Sequence, residues 1–248
     1  AELISLAIEA EQLYLPEEIL VLTASRSQAS LLRDQISARS KRASSVPRAV
    51  SITALAYRML TQSGQQVRLL TGPSQEQILR KLITEAEPSL RSAGFNPLSV
   101  QLSAFLQEMR DLLQVVMDFG LKLEDLVSLK RQFPALKLEI LIVIFERYLS
   151  ELENGGWVDA SSLLTRALDL NVDVKLVLVD DAQEFSTAGL KLLAKLLEKS
   201  PGVIFGDPDS ATQGFRAAEP GAFLALGERI YLAKESVISP VNQSVLAK

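Results

Sequence analysis

Two textures of apolar spacing alternate along the chain, and the change between them divides it. Near the start, Leu3 to Leu13 recur at helical spacing; after Pro16 comes a continuous apolar run, EEILVLT, which ends at Thr23 in the polar stretch ASRSQAS. Leu31, Leu32, Gln35 and Ile36 then fit one helix, and AVSITALAYRML reads as a short strand passing into another. The same texture returns after Val172. KLVLVDD is an apolar run closing on two aspartates, STAGLKLLAKLLEK is a helix capped by Ser186 or Thr187, Pro201 and Gly202 stop it, and VIFGD is a second buried-type strand. Runs of this kind predict a parallel sheet with helices on both faces. In such sheets a ligand binds beyond the carboxyl ends of the strands, where Thr23, Asp180/Asp181 and Gly206/Asp207 stand.

Between about 73 and 170 the texture is all helix. Leu98, Leu102, Phe105, Leu106, Met109, Leu112, Leu113, Val116 and Met117 recur every three or four residues, and Gly120 follows as a stop. The pattern predicts one long helix there and a second from Ala135 to Glu153 before Gly155 and Gly156. Shorter helices are expected over Gln75 to Glu85, Leu123 to Gln132 and Ala160 to Leu168. ILIVIF, residues 140 to 145, has the composition of a buried strand, but its helical flanks assign it to the second long helix. No internal repeat or low-complexity tract interrupts these patterns. Trp157 and the four Tyr residues carry no functional signal.

Composition narrows the chemistry. With 48% apolar and 23% charged residues the chain is of globular type, and no apolar run reaches the roughly 18 to 20 residues of a membrane-spanning helix. The first residues, AELISLAIEAE, are acidic where a secretory signal would be basic, so the expectation is a cytoplasmic protein with no membrane partner. Neither Cys nor His occurs. Disulfides, thiolate metal sites and imidazole catalysis are thereby excluded, leaving carboxylates, hydroxyls, amides and bound ions. The net charge of −4 does not attract nucleic acid in bulk. Locally, Arg26, Arg33, Arg39, Lys41, Arg42 and Arg48 face a single acid, Asp34, which fits either a solvated helix face with a flexible loop or a phosphate-binding patch.

LVLVDDAQEF, residues 176 to 185, is the most informative segment. A strand that delivers two adjacent carboxylates to its carboxyl end suits nucleotide hydrolysis: one acid holds magnesium, and its neighbour positions or deprotonates the attacking water. Gln183 is placed to sense a terminal phosphate or orient that water. Alone, the same segment fits a solvated strand end with helix-capping acids. Its partner is GDPDSATQGFRAAEP, residues 206 to 220, which also follows a strand.

Together the two segments resemble the second and third motifs of the UvrD/Rep family of superfamily I helicases, including RecB-like actinobacterial members. Asp180, Asp181, Ala182, Gln183 and Glu184 match the family's Asp-Glu-x-Gln-Asp; Gly206, Asp207, Phe215, Arg216 and Ala218 match its Gly-Asp and aromatic-Arg-Gly-Ala elements. LVLTASRSQASLLRDQI, residues 20 to 36, and VSITALAYRML, residues 50 to 60, resemble two earlier motifs, and the helical block stands where the family inserts a subdomain. The fold implied is a RecA-like parallel sheet with helices on both faces, interrupted by a mainly helical inserted subdomain. Its divisions are 1–72 and 171–232 for the first motor domain, 73–170 for the insertion, and 233–248 for a tail that starts a second motor domain.

The resemblance implies an ATP-dependent 3′ to 5′ translocase on single-stranded DNA, in repair or recombination, with ATP and Mg²⁺ as cofactors and a nuclease or second helicase subunit as a partner. By it, Asp180 and Asp181 hold magnesium, Asp181 is the general base, and Gln183 couples the terminal phosphate to the DNA side. Asp207 and Arg216 join the nucleotide site. Thr23, Ser25, Arg26 and Thr53 line the DNA backbone, Phe215 stacks on a base and Arg216 meets a phosphate, stacking being tolerant of sequence because every base has a π-face.

Several positions depart from the family. No Gly-x-x-x-x-Gly-Lys-Ser/Thr occurs, and the helix at the start looks like the one that follows that loop, so this chain is not expected to hydrolyse ATP unaided. Asp181 replaces Glu, Ser210 replaces Gln, Thr53 stands for His, Ala24 for Phe and Ala217 for Gly. A helicase-like binding module without ATPase activity is the alternative reading. A different P-loop enzyme with a helical insertion does not predict the Gly-Asp…Phe-Arg segment.

Overall fold

The computed structural model describes residues 2–41, 47–92, 94, 96, 103–119, 121–132, 138–210 and 221–227. Phe215, Arg216, Ala217, Ala218, Arg42, the helix start proposed at Leu98 to Leu102, the helix start at 135–137 and the 233–248 tail lie outside them. Four strands, β1 (Ile19–Thr23), β2 (Arg48–Ser51), β5 (Leu176–Val179) and β6 (Gly202–Ile204), form one sheet in the order β2-β1-β5-β6. Every pairing in it is parallel.

The inner strands β1 and β5 are buried on both faces, whereas β6, at the sheet edge, leaves Gly202 and Val203 exposed and so is not the buried-type strand its apolar run predicts. β1 is buried at all five positions, which is why its sequence runs continuously apolar instead of alternating. Pleating sends Ile19 and Val21 to one side, with Leu178 of β5, against α1 (Glu2–Ala10) and α2 (Arg26–Arg39), whose Leu3, Ile4, Ala7, Leu32 and Ile36 complete that layer. Leu20, Leu22, Val177 and Val179 point the other way, against α3 (Ile52–Gln62), α8 (Ala160–Ala167) and α9 (Thr187–Leu197). Serines start three of these helices. Ser25 accepts from Gln28 N (3.2 Å), Ser51 from Ala54 N (3.2 Å) and Ser186 from Gly189 N (3.3 Å), so of the two caps considered for α9 it is Ser186 that serves.

Between β2 and β5 the chain builds a second core from α4 (Gly72–Ser92), α5 (Ser103–Phe119), α6 (Leu123–Gln132) and α7 (Glu139–Gly155). Leu79, Leu82, Ile83, Ala86 and Leu90 of α4 meet Leu106, Met109, Leu113 and Val116 of α5 and Ile140, Ile144, Phe145, Tyr148 and Leu152 of α7. ILIVIF is helical, as its flanks imply. The pattern stopped α4 too early, at Glu85. The helix continues through Pro88 to Ser92, because fully buried Leu90 extends the same apolar stripe, and its burial outweighs the one backbone bond that proline removes.

The chain enters and leaves this block side by side. β3 (Arg68–Leu69) pairs in parallel with β4 (Trp157–Val158), and Leu70 N donates to Val158 O at 2.9 Å. The Arg68 guanidinium lies 3.6 Å from the centre of the Trp157 ring, a cation–π contact across the ribbon. Gly156, in left-handed conformation (φ 61°), stops α7 just before β4.

Candidate functional site

Strand order alone selects one edge of the sheet. The crossover from β1 through α2 leads outward to β2; the crossover from β5 through α9 leads the opposite way to β6. Because parallel crossovers are right-handed, opposite directions place α2 and α9 on opposite faces and leave a crevice above the carboxyl ends of β1 and β5. Thr23 ends β1 there. Asp180 N donates to Leu22 O at 2.8 Å, carrying the ladder one residue further and setting both aspartates at the same crevice.

The backbone turns sharply at Asp181. Its φ of 51° makes it the one non-glycine residue with positive φ among the described residues. Asp tolerates this left-handed region better than most residues, but such strain costs about 1–3 kcal/mol and persists where surrounding structure holds it. Here the hold is visible: Glu184 N bonds Asp181 O (3.0 Å) in the 3-10 turn Ala182–Glu184, Ala182 N bonds Phe205 O (3.0 Å), and Phe205 N bonds Val179 O (2.8 Å). The segments after β5 and β6 are laced together.

Side chains then join all three strand ends. Asp181 Oδ2 accepts from Gln28 Nε2 at 2.6 Å, and Oδ1 from Gln183 Nε2 at 3.5 Å. Gln28 Oε1 in turn accepts from Thr23 Oγ1 and Ser25 Oγ, both at 3.0 Å. Gln183 is buried, and its Oε1 accepts from Asp207 N at 3.2 Å. Asp207 Oδ1 accepts from Asp209 N at 3.1 Å. Asp180 is half-buried beside this chain of bonds, and burial, followed by the charge of Asp181, raises its carboxyl above the ordinary value.

Thus the structure brings together Thr23, Ser25, Asp180, Asp181, Gln183 and Asp207. Thr23 is wholly buried, its hydroxyl spent on Gln28. Arg26 is exposed and Thr53 half-buried, each in the first turn of a helix that starts at the carboxyl edge of the sheet, and neither joins the bonded cluster. Gln28 is the residue that pattern reading passes over. Its signal is the spacing Ser25-x-x-Gln28 at a helix start, which places a glutamine on the inner turn beside the cap.

Among the described residues no group of three or more acids could hold a metal by protein ligands alone. Magnesium needs no such cage, since it keeps several waters and commonly takes one or two carboxylates plus nucleotide phosphates. Two adjacent carboxylates, one of them half-buried with its charged form disfavoured, fit that mode, because a divalent cation would relieve their repulsion.

A parallel sheet flanked by helices, with paired acids at its switch point, defines a RecA-like α/β domain of helicase type. The family model for the UvrD/REP helicase N-terminal domain matches residues 2–230, and the chain belongs to that family. No curated protein matches it. Members of the family use ATP and Mg²⁺ and bind DNA in general. No helix among the described residues is long and apolar enough to cross a membrane.

Proposed function

We propose that this chain is the first motor domain of an ATP-dependent, 3′ to 5′ translocase or helicase acting on single-stranded DNA in repair or recombination, in the cytoplasm, with a nuclease or second helicase subunit as partner. One observation carries the reading: Asp181, strained and clamped, joins the ends of β1, β5 and β6 through Gln28 and Gln183. On this reading the motor domain comprises 1–72 and 171–232, with 73–170 inserted and 233–248 leading onward.

Magnesium bound with a nucleotide would neutralise charge that develops on the transferring phosphoryl group. Asp180 and Asp181 are the residues that would hold it. Asp181 also takes the proton of the attacking water, its backbone fixed by the turn that comes after it. Buried Gln183, anchored by Asp207 N, orients that water or reads the terminal phosphate, with Asp207 and Arg216 completing the nucleotide side. Ser25, Arg26 and Thr53, at two helix starts, face the DNA backbone; Thr23 supports them from beneath, while Phe215 stacks on a base and Arg216 meets a phosphate.

A second reading, a DNA- or protein-binding module without hydrolysis, draws on one feature: the Asp181 carboxylate already accepts a short bond from Gln28. ATPase activity of the full-length protein, with and without single-stranded DNA, separates the two. Activity that rises with DNA and collapses in Asp181→Ala supports the motor. DNA binding with hydrolysis no higher than in Asp181→Ala supports the module.

A further inference from the structure

The amide of Gln28 is oriented without ambiguity. A carboxylate only accepts, so Nε2 must face Asp181 Oδ2, and Oε1 must then take the Thr23 and Ser25 hydroxyls as donors. One side chain thereby spans the crevice between the ends of β1 and β5, bonding a carboxylate 153 positions away in sequence. Of the two bonds to the Asp181 carboxylate, the 2.6 Å contact from Gln28 is by far the stronger; the Gln183 contact, at 3.5 Å, is at the limit. Gln28 itself sits at the start of α2, its backbone N–H held by Ser25. Movement of the 23–25 segment is thus transmitted through one amide to the carboxylate.

We propose that Gln28 is a positioning residue for Asp181 and the mechanical link by which a phosphate oxygen of single-stranded DNA, arriving at the Ser25 end, acts on that carboxylate. This rests on the motor reading above. A phosphate oxygen is an acceptor, and it competes with Gln28 Oε1 for the Ser25 hydroxyl, the more accessible of the two; Thr23, buried, keeps its bond. The Gln28 amide then pivots about Thr23 and resets the carboxylate it holds. No residue is consumed or modified, and the coupling runs both ways, so nucleotide binding at the Asp180/Asp181 side must change DNA affinity by the same factor that DNA changes nucleotide affinity.

The test uses full-length protein with Gln28→Met, which keeps length and helix propensity but removes both polar ends, and Thr23→Val, which removes only the pivot hydroxyl. Two quantities are measured: kcat and KM for ATP at saturating oligo-dT, and the Kd of fluorescent oligo-dT by anisotropy with and without Mg²⁺ and a non-hydrolysable ATP analogue. In Gln28→Met, kcat falls about tenfold or more with KM within about twofold, as for other residues that hold a catalytic group in place. The nucleotide-dependent change in oligo-dT Kd shrinks towards none, while Kd without nucleotide is no weaker than in the parent, the competitor for the Ser25 hydroxyl being gone; Thr23→Val reduces kcat and the linkage in the same direction by less. Unchanged kcat and unchanged linkage in Gln28→Met overturn the proposal while leaving the motor reading intact. A uniform loss of kcat, oligo-dT affinity and thermal stability in both variants also overturns it, by reducing Gln28 to a structural strut. If the parent protein shows no DNA-stimulated hydrolysis at all, the motor reading fails and this link with it.

Discussion

Gly206, where β6 delivers the chain to the site, has no room for a methyl group. A Cβ there would stand 2.7 Å and 3.0 Å from Cζ and Cε2 of Phe223, and 3.0 Å from Oε1 of Gln183. Ordinary carbon contacts sit at about 3.5–4.0 Å, so the nearest atom must give way by roughly 0.8 Å. Neither neighbour yields cheaply. Phe223 is 5% exposed within the core above the sheet, and Gln183 is 4% exposed with its Oε1 committed to Asp207 N. Gly206→Ala therefore either displaces a packed ring or lifts the 206–207 backbone off Gln183, and overpacking of this kind costs about 1–3 kcal/mol. Gly221 is the matched control: its φ of −91° suits alanine and the nearest atom, Leu224 Cδ1, is 4.0 Å from the would-be Cβ, so Gly221→Ala is neutral or stabilising by up to about 1 kcal/mol. Urea unfolding of both variants, at constant m, measures the difference. Because Gln183 is one of the two groups crowded, the motor reading proposed above predicts that Gly206→Ala in the full-length protein lowers ATP hydrolysis more than Gly221→Ala does. Equal midpoints for the two variants would refute the reasoning, since the contacts above would then relax at no cost.

Two further perturbations act on polar groups that the fold removes wholly or partly from water. Tyr148 is fully buried, accepts from Gln75 Nε2 at 3.0 Å and donates to Asp159, the residue that caps α8; Tyr148→Phe leaves polar groups unpaired and should cost about 1–3 kcal/mol in urea unfolding. Burial, and then the charge of Asp159, push the phenol well above its ordinary 10.0, so the stabilisation is complete below that value and is lost as pH climbs through the raised one: the gap between Tyr148 and Phe should be flat at neutral pH and narrow only in strong alkali. Asp180 has the opposite consequence at neutral pH. Its raised carboxyl means that folding disfavours the ionised form, so its contribution is full below the ordinary 3.8 and lost as pH rises through the folded value; Asp180→Asn should unfold at higher urea than the parent at pH 7, with the advantage vanishing below about pH 3.8, and a destabilised Asp180→Asn at pH 7 would count against it.

The inner strands and their polar ends are legible in the sequence because a buried parallel strand writes itself as an unbroken apolar run, as EEILVLT and KLVLVDD do; VIFGD has the same texture but forms the edge strand β6, where Gly202 and Val203 are exposed. The polar residues next in sequence must then lie at the carboxyl edge of the sheet. Spatial order is not legible: no local pattern states that β1 lies between β2 and β5, and the Gln28–Asp181 bond exists only because it does. Gln28 reads in sequence as one more polar residue in ASRSQAS, and Thr23 reads as an available hydroxyl although the fold buries it completely. β3 and β4, two residues each, are too short to show any period; Arg68 and Trp157 meet only when both crossings of the chain are in place. The expectation of a helix ending at Glu85 falls short of the apolar stripe, which runs on past Pro88 to buried Leu90.

The helical block is not an appendage independent of the site. Arg110 Nε donates to Gln75 Oε1 at 3.1 Å, Gln75 to Tyr148, and Tyr148 to Asp159, whose carboxylate receives Ser162 N at 2.7 Å at the start of α8. α8 packs on α3, whose first turn, capped by Ser51 and carrying Thr53, lies on the edge of the sheet that carries the aspartates. A polar path thus runs from the inserted helices, through a buried tyrosine and two helix starts, to one of the segments proposed to face DNA, while β3 and β4 hold the two chain crossings in register beside it. Buried polar groups contribute little net stability compared with apolar packing of the same volume, but they fit in one arrangement only. This path favours one orientation of the block against α8 and, through it, against α3.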